Sequence, residues 1–325
     1  VAVITYREAL RQALIEEMER DPGVFVLGEE VGRYQGTFRV TEGLLQRFGE
    51  MRVVDTPISE SGIAGMAIGA AMIGLRPVAE FMTYSFALIA ADQIVNHAAK
   101  ILYMFGGQIA VPVVFRGPAG GGAQLSAQHS HSLESWYAHI PGLKVVTPAT
   151  PADAKGMLKT AIRDNNPVIF MEHAKLYSTR GEVPEGEYTV PFGVADVKRV
   201  GSDVTLIAYS QPVLLALHAA EKLAQSDGIE CEVIDLRSLQ PLDMDTVLRS
   251  IRKTHRAVVV HEDHRNVGFG AEVVARIQEL AFDDLDAPVL RVASADVPIP
   301  YARNLERAAF PSEDDIIRAV KRVLA

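Results

Sequence analysis

Few residues of this chain have the type and setting for chemistry, and the first is Glu60. It is a single carboxylate in "DTPISESGIAGMAIGAAMIGL" (residues 55–75), and the 61–75 stretch after it is uncharged, with glycines spaced as in a closely packed helix. Two forces oppose each other there. The positive end of a helix favours the anion, whereas an apolar enclosure favours the neutral acid. A carboxyl balanced between them can share a proton with a ligand nitrogen; an ordinary helix-start residue between Ser59 and Ser61 fits the same letters.

"AQHSHS" places His129 and His131 two apart, on one side of any extended segment, with Glu134 and His139 as conceivable further metal ligands. Surface or hydrogen-bonded loop histidines account for the motif better than a metal site does. "HEDH", residues 261–264, closes a strand without any ligand spacing and reads as structural or interfacial. In "RGPAGGGAQ" (116–124), Gly117 and Gly122 have Walker-like spacing, but Ala123 and Gln124 stand where Lys and Ser/Thr are needed, which excludes a P-loop. A plain turn or the wall of a ligand crevice remains. No dinucleotide fingerprint and no G-x-S-x-G elbow is present, so serine hydrolase chemistry lacks its nucleophile.

These positions need a scaffold. "TYREALRQALIEEMERDPG" has Thr5 and Glu8 in capping-box spacing and Pro22-Gly23 as a stop. Apolar runs at "VFVL", "RVVD", "RPVAEF", "VPVVFR", "LKVV" and "PVIFME" alternate with helical periodicity, notably over 85–105, and Thr150, Pro151 and Asp153 open a helix ending near Asp164. Strands alternating with helices predict a mostly parallel sheet covered on both faces. The Gly/Pro-rich stretch 182–203 predicts a linker, and strands at "VTLIAY", "ECEVIDL", "AVVVHE" and "APVLRVA" then build a smaller second α/β domain. The expected domains are 1–190 and 200–325.

With 48% apolar and 22% charged residues, the 325-residue chain reads as folded and water-soluble rather than disordered. A net charge of −9 without a basic stripe excludes a nucleic-acid footprint. The single cysteine, Cys231, excludes an internal disulfide and suits a reducing compartment. The uncharged 61–75 stretch is shorter than the roughly 20 residues of a membrane span. No signal peptide is expected before Val1, although the missing Met leaves processing open.

At "VVDTPISESGIAG", "AEFMTYSF", "AQHSHS", "PGLKVVTPATPADAKGMLKTAIRDNNPVIFMEH" and "CEVIDLRSLQPLDMDT" the sequence resembles the β subunits of the thiamine diphosphate-dependent decarboxylating component of 2-oxoacid dehydrogenase complexes. The resemblance runs over essentially the whole chain. It implies an amino-terminal pyrimidine-binding α/β domain and a carboxy-terminal domain of transketolase type. It implies that Glu60 hydrogen-bonds the cofactor's aminopyrimidine ring in a proton relay, that Phe86 packs on that ring, and that His129 lies near the reacting carbon. Glu29 in "LGEEVG" matches an acidic position near the cofactor. Val113, Ala161, Ile162, Asp164 and Asn166 match positions that hold a potassium ion, largely through backbone carbonyls.

The family's diphosphate and magnesium motif, Gly-Asp-Gly followed downstream by Asn, has no counterpart in this chain and belongs to the α subunit of relatives. The resemblance therefore implies half of a thiamine diphosphate site, with Mg2+ ligands on an α subunit, in an α2β2 heterotetramer docked on a lipoyl acyltransferase core through that core's subunit-binding domain. Pyruvate is the expected 2-oxoacid; a branched-chain 2-oxoacid or acetoin is the alternative within the class. A non-catalytic assembly subunit and a self-sufficient thiamine enzyme are the rivals outside it. The bacterial cytoplasm, or else an organellar matrix or stroma, is the expected compartment.

Overall fold

The computed structural model describes residues 1–325. Two units are formed, Val1–Ala119 with Trp136–Phe192, and Gly120–Ser135 with Gly193–Ala325. The segment Gly120–Ser135, read from the sequence as part of the first domain, thus groups with the second unit.

In the first unit, the helix Tyr6–Arg20 starts at a complete capping box: Thr5 accepts from the Glu8 amide, and the Glu8 carboxylate accepts from the Thr5 amide at 2.7 Å. Its apolar face, Leu10, Ala13, Leu14 and Met18, is buried. Parallel strands follow in the spatial order Lys144–Val146, Val168–His173, Val114–Ala119, Arg76–Glu80, Val24–Gly28 and Val53–Asp55. Their near-continuous Val, Ile and Phe content is that of strands covered on both faces. The helix Pro151–Arg163 begins where predicted, with Thr150 capping the Asp153 amide.

One stretch departs from the periodicity. The run 85–105 is a 3₁₀ turn at Ala87–Ala90, a wide π-type turn at Gln93–Ala98 and a short α-helix at Ile101–Met104. A tight turn followed by a wide one averages close to the α-helical repeat, so the spacing of apolar residues cannot reveal the break.

The second unit carries the parallel strands Leu290–Ser294, Ala257–His264, Val204–Ala208 and Cys231–Asp235, in that order, with Asp196–Arg199 antiparallel at the edge. That edge strand falls inside the stretch predicted as linker. The helices Pro212–Asp227, Met244–Thr254, Phe269–Ala281 and Glu313–Leu324 alternate with these strands along the chain, and Ser312 with Asp315 forms a second capping box. The short helix Arg303–Ala309 was not foreseen. Cys231 is buried, and burial pushes its thiol up to about 12, which makes it a packing residue. No helix is long and apolar enough to cross a membrane.

Candidate active site

Open parallel sheets gather their site residues at the carboxyl ends of the strands. Glu29 directly follows Val24–Gly28 at that edge, and Glu60 is the first residue of the helix Glu60–Met72. Both are buried, at 6% and 5% exposure, and neither is ion-paired with a cation of the chain. Burial, and then the Glu60 charge, hold the Glu29 carboxyl above its ordinary value. Glu29 Oε1 is buried with no hydrogen-bond partner. Two adjacent buried carboxyls, one with an orphaned oxygen, suit a ligand that brings a proton or an N–H donor.

The backbone around this pair is fixed by groups that sequence reasoning passed over. Asp55, the last residue of its strand, accepts from the Gly32 amide at 2.6 Å and the Arg33 amide at 3.0 Å, tying down the loop that leaves Glu29. Gly28 lies so close to the next strand that a Cβ would sit 2.5 Å from the Glu80 carbonyl oxygen. Ser61 Oγ donates to the Ile89 carbonyl at 2.8 Å, and the Ile89 amide donates to the Phe86 carbonyl at 3.0 Å. The start of the Glu60 helix is thereby linked to the turn led by half-buried Phe86.

The strand paired with the one before Glu29 ends in Glu80, a member of a charged cluster that the sequence did not announce. Arg116, 1% exposed, donates to Glu80 and, through Nη2 at 2.5 Å, to Glu172, which also accepts from the Tyr177 hydroxyl at 2.7 Å. Burial holds the Glu80 carboxyl above its ordinary value despite Arg116. The only signal for this cluster was charge inside strands otherwise apolar.

His129 belongs to the second unit. It ends the 3₁₀ turn Ala127–His129 and is exposed. His131 is held below its ordinary value by burial first, then by His264 and His129, so three imidazoles gather there, His264 from "HEDH" among them. No group of three or more His, Cys, Asp or Glu residues is arranged to hold a metal. The other histidine of "HEDH", His261, is fully buried and bonded to Asp263, which also accepts from the Tyr209 hydroxyl at 3.1 Å; this is the structural role foreseen for it.

The five residues matched to a potassium site all lie in the first unit. The Val113 carbonyl accepts from the Val168 amide at 2.9 Å, and the Ala161 carbonyl from the Asp164 amide at 3.3 Å. Asn166 donates to the Asp164 carboxylate from its amide at 2.8 Å and its side chain at 2.9 Å. Arg76 Nη1 donates at 3.0 Å to the carbonyls of both Ile162 and Asp164. Carbonyl oxygens suit a hard cation, and each keeps a second lone pair; the guanidinium competes for two of them.

A parallel-sheet α/β unit followed by a second, smaller α/β unit is the architecture of the transketolase class of protein. The family model for the pyrimidine-binding domain of transketolase matches residues 2–179, and that for the transketolase C-terminal domain matches 193–316. The solved structure of a split gene transketolase, an inactive β4 tetramer, superposes with a TM-score of 0.82 at 25% identity, covering 99% of this chain and 98% of that one. Within the class, the pyruvate dehydrogenase E1 component subunit β of Rickettsia felis is 54% identical over 98% of each chain. That of Rhizobium meliloti is 53% identical over 99% of this chain and 70% of its own. The chain belongs to the family of pyruvate dehydrogenase E1 component β subunits, the resemblance read from the motifs.

Proposed function

We propose that this chain, joined to an α subunit, forms the decarboxylating component that acts on pyruvate and passes the two-carbon product to the lipoyl group of an acyltransferase. The observation that carries the reading is the adjacent pair of buried carboxyls, Glu29 and Glu60, in the unit matched as pyrimidine-binding. Thiamine diphosphate, when bound, supplies the carbon nucleophile that attacks the 2-oxo group.

The side chains of this chain then have distinct tasks. Glu60 would hold a proton for the aminopyrimidine ring nitrogen, and Phe86 would pack on that ring and keep it in line. Glu29, with its carboxyl held protonated to higher pH, serves as a neighbouring proton store. His129, exposed on its turn, meets the reacting groups as an acid or base. The α subunit supplies the diphosphate and Mg2+ ligands. A potassium ion at Val113, Ala161, Ile162, Asp164 and Asn166 would share two carbonyls with Arg76. The working assembly is an α2β2 heterotetramer on the acyltransferase core, in the bacterial cytoplasm.

Calorimetry with thiamine diphosphate and Mg2+ tests the reading, first on this chain alone and then after mixing with a candidate α subunit. Binding only in the mixture is expected. Tight binding by the isolated chain would overturn the half-site. A reconstituted enzyme that prefers 3-methyl-2-oxobutanoate to pyruvate would overturn the choice of substrate.

A further inference from the structure

The glycine run Gly120-Gly121-Gly122 opens a segment that, by composition, should sample many backbone states. Instead it is held in one, with Gln124 and Ser126 at φ values of +56° and +69°. Non-glycine residues keep such angles only where surrounding contacts impose them. Two buried carboxylates make those contacts. Glu262, at 5% exposure near the end of the strand Ala257–His264, accepts through Oε1 from the Gly121 amide at 2.9 Å and the Ser132 hydroxyl at 3.3 Å. Glu306, at 3% exposure in the helix Arg303–Ala309, accepts from the Gln124 amide at 2.9 Å.

A carboxylate is costly to bury unless N–H or O–H donors satisfy it, and charge-assisted bonds to a backbone amide are among the stronger ones. Here such bonds hold the Gly121 and Gln124 amides ahead of His129, and the Ser132 hydroxyl is held beyond it. The Phe310 ring closes the same face: a Cβ on Gly121 would lie 2.3 Å from its Cζ. Within the segment, the Gly120 amide donates to the His131 carbonyl at 2.9 Å and Ser130 Oγ to the Ser126 carbonyl at 2.8 Å. The backbone is pinned while the His129 side chain stays exposed.

We infer that Glu262 and Glu306 are positioning residues: they fix Gly120–Ser135 so that His129 is presented in one geometry to the reacting groups. The inference rests on the reading of His129 given above. It also gives the glycine-rich loop a purpose, since a backbone free of side chains can lie flat against Phe310 and turn its amides to the two carboxylates.

The test uses the full assembly with the α subunit, pyruvate and a free lipoyl domain, comparing His129→Ala, Glu262→Ala, Glu306→Ala and Glu262→Gln. Amide hydrogen exchange over residues 120–135 reports the order of the segment, and the rate of lipoyl-domain acylation reports the chemistry. Glu262→Ala and Glu306→Ala should speed exchange and slow the same step that His129→Ala slows, by about 10²-fold, the scale of a misplaced catalytic group. Glu262→Gln, which keeps an acceptor oxygen, should restore most of the rate. Loss in His129→Ala with unchanged rates in both alanine variants of the glutamates overturns the inference alone. Full activity in His129→Ala overturns the reading of His129 and this inference with it. Glu306→Ala, on a separate helix, decides the matter if Glu262→Ala does not assemble.

Discussion

Glu29 and Glu60 sit near enough for the charge of the second to help hold the proton on the first, and burial holds it more strongly still. In the folded chain Glu29 thus stays protonated to higher pH than in the unfolded chain. The stability it contributes is fully present below the ordinary value of 4.5 and is lost as the pH rises through the raised value. Glu29→Gln should therefore melt higher than the parent at neutral pH, and the difference should vanish below pH 4.5. Thermal melts across that range check it; an equal gain at every pH would mean that the proton is not the cause.

Glu60→Gln removes a proton carrier while keeping shape. Turnover of the assembled enzyme should fall about 10²- to 10⁴-fold, the usual scale for a general acid or base. Assembly should be intact by size-exclusion chromatography. The Glu29 carboxyl, freed of its charged neighbour, should titrate at lower pH when followed by carboxyl infrared absorption. Full turnover would revive the reading of the chain as a non-catalytic assembly subunit.

Arg116 is the only cation between the buried carboxylates of Glu80 and Glu172. Arg116→Met leaves both without a counter-charge and should lower the unfolding free energy by about 3–5 kcal/mol. Adding Glu80→Gln and Glu172→Gln should recover part of the loss. Denaturant midpoints of the three forms measure both effects, and an unchanged midpoint in Arg116→Met would contradict the pairing.

Cys231 is fully buried, with its thiol pushed up to about 12 by burial. It should resist alkylation at neutral pH in the native protein and react at once in denaturant. Mass spectrometry of the labelled chain reads the result directly, and rapid native labelling would place the thiol nearer the surface than the fold allows.

What the sequence disclosed follows range along the chain. Thr5 with Glu8 and Thr150 with Asp153 are three residues apart, and each cap formed where the letters put it. Glu60 was singled out because a lone carboxylate before an uncharged helix is a local anomaly. Arg116 meets partners 36 and 56 positions away, and Glu262 reaches 141 positions back to Gly121; no local pattern encodes such pairings. His264 went unrecognised as a neighbour of His131 because only the folded sheet end brings "HEDH" to "AQHSHS". The 85–105 run shows the converse: a correct period hid a change of turn width.

The passage of Gly120–Ser135 into the second unit also sets an order in time. Synthesis runs from the amino terminus, and domains tend to order as they emerge. Residues 120–135 leave the ribosome well before Glu262, Glu306 and Phe310, the groups that hold them, have been made. The first unit is therefore expected to order while that strap is still unheld, and the turn bearing His129 to settle only after Phe310 has been made.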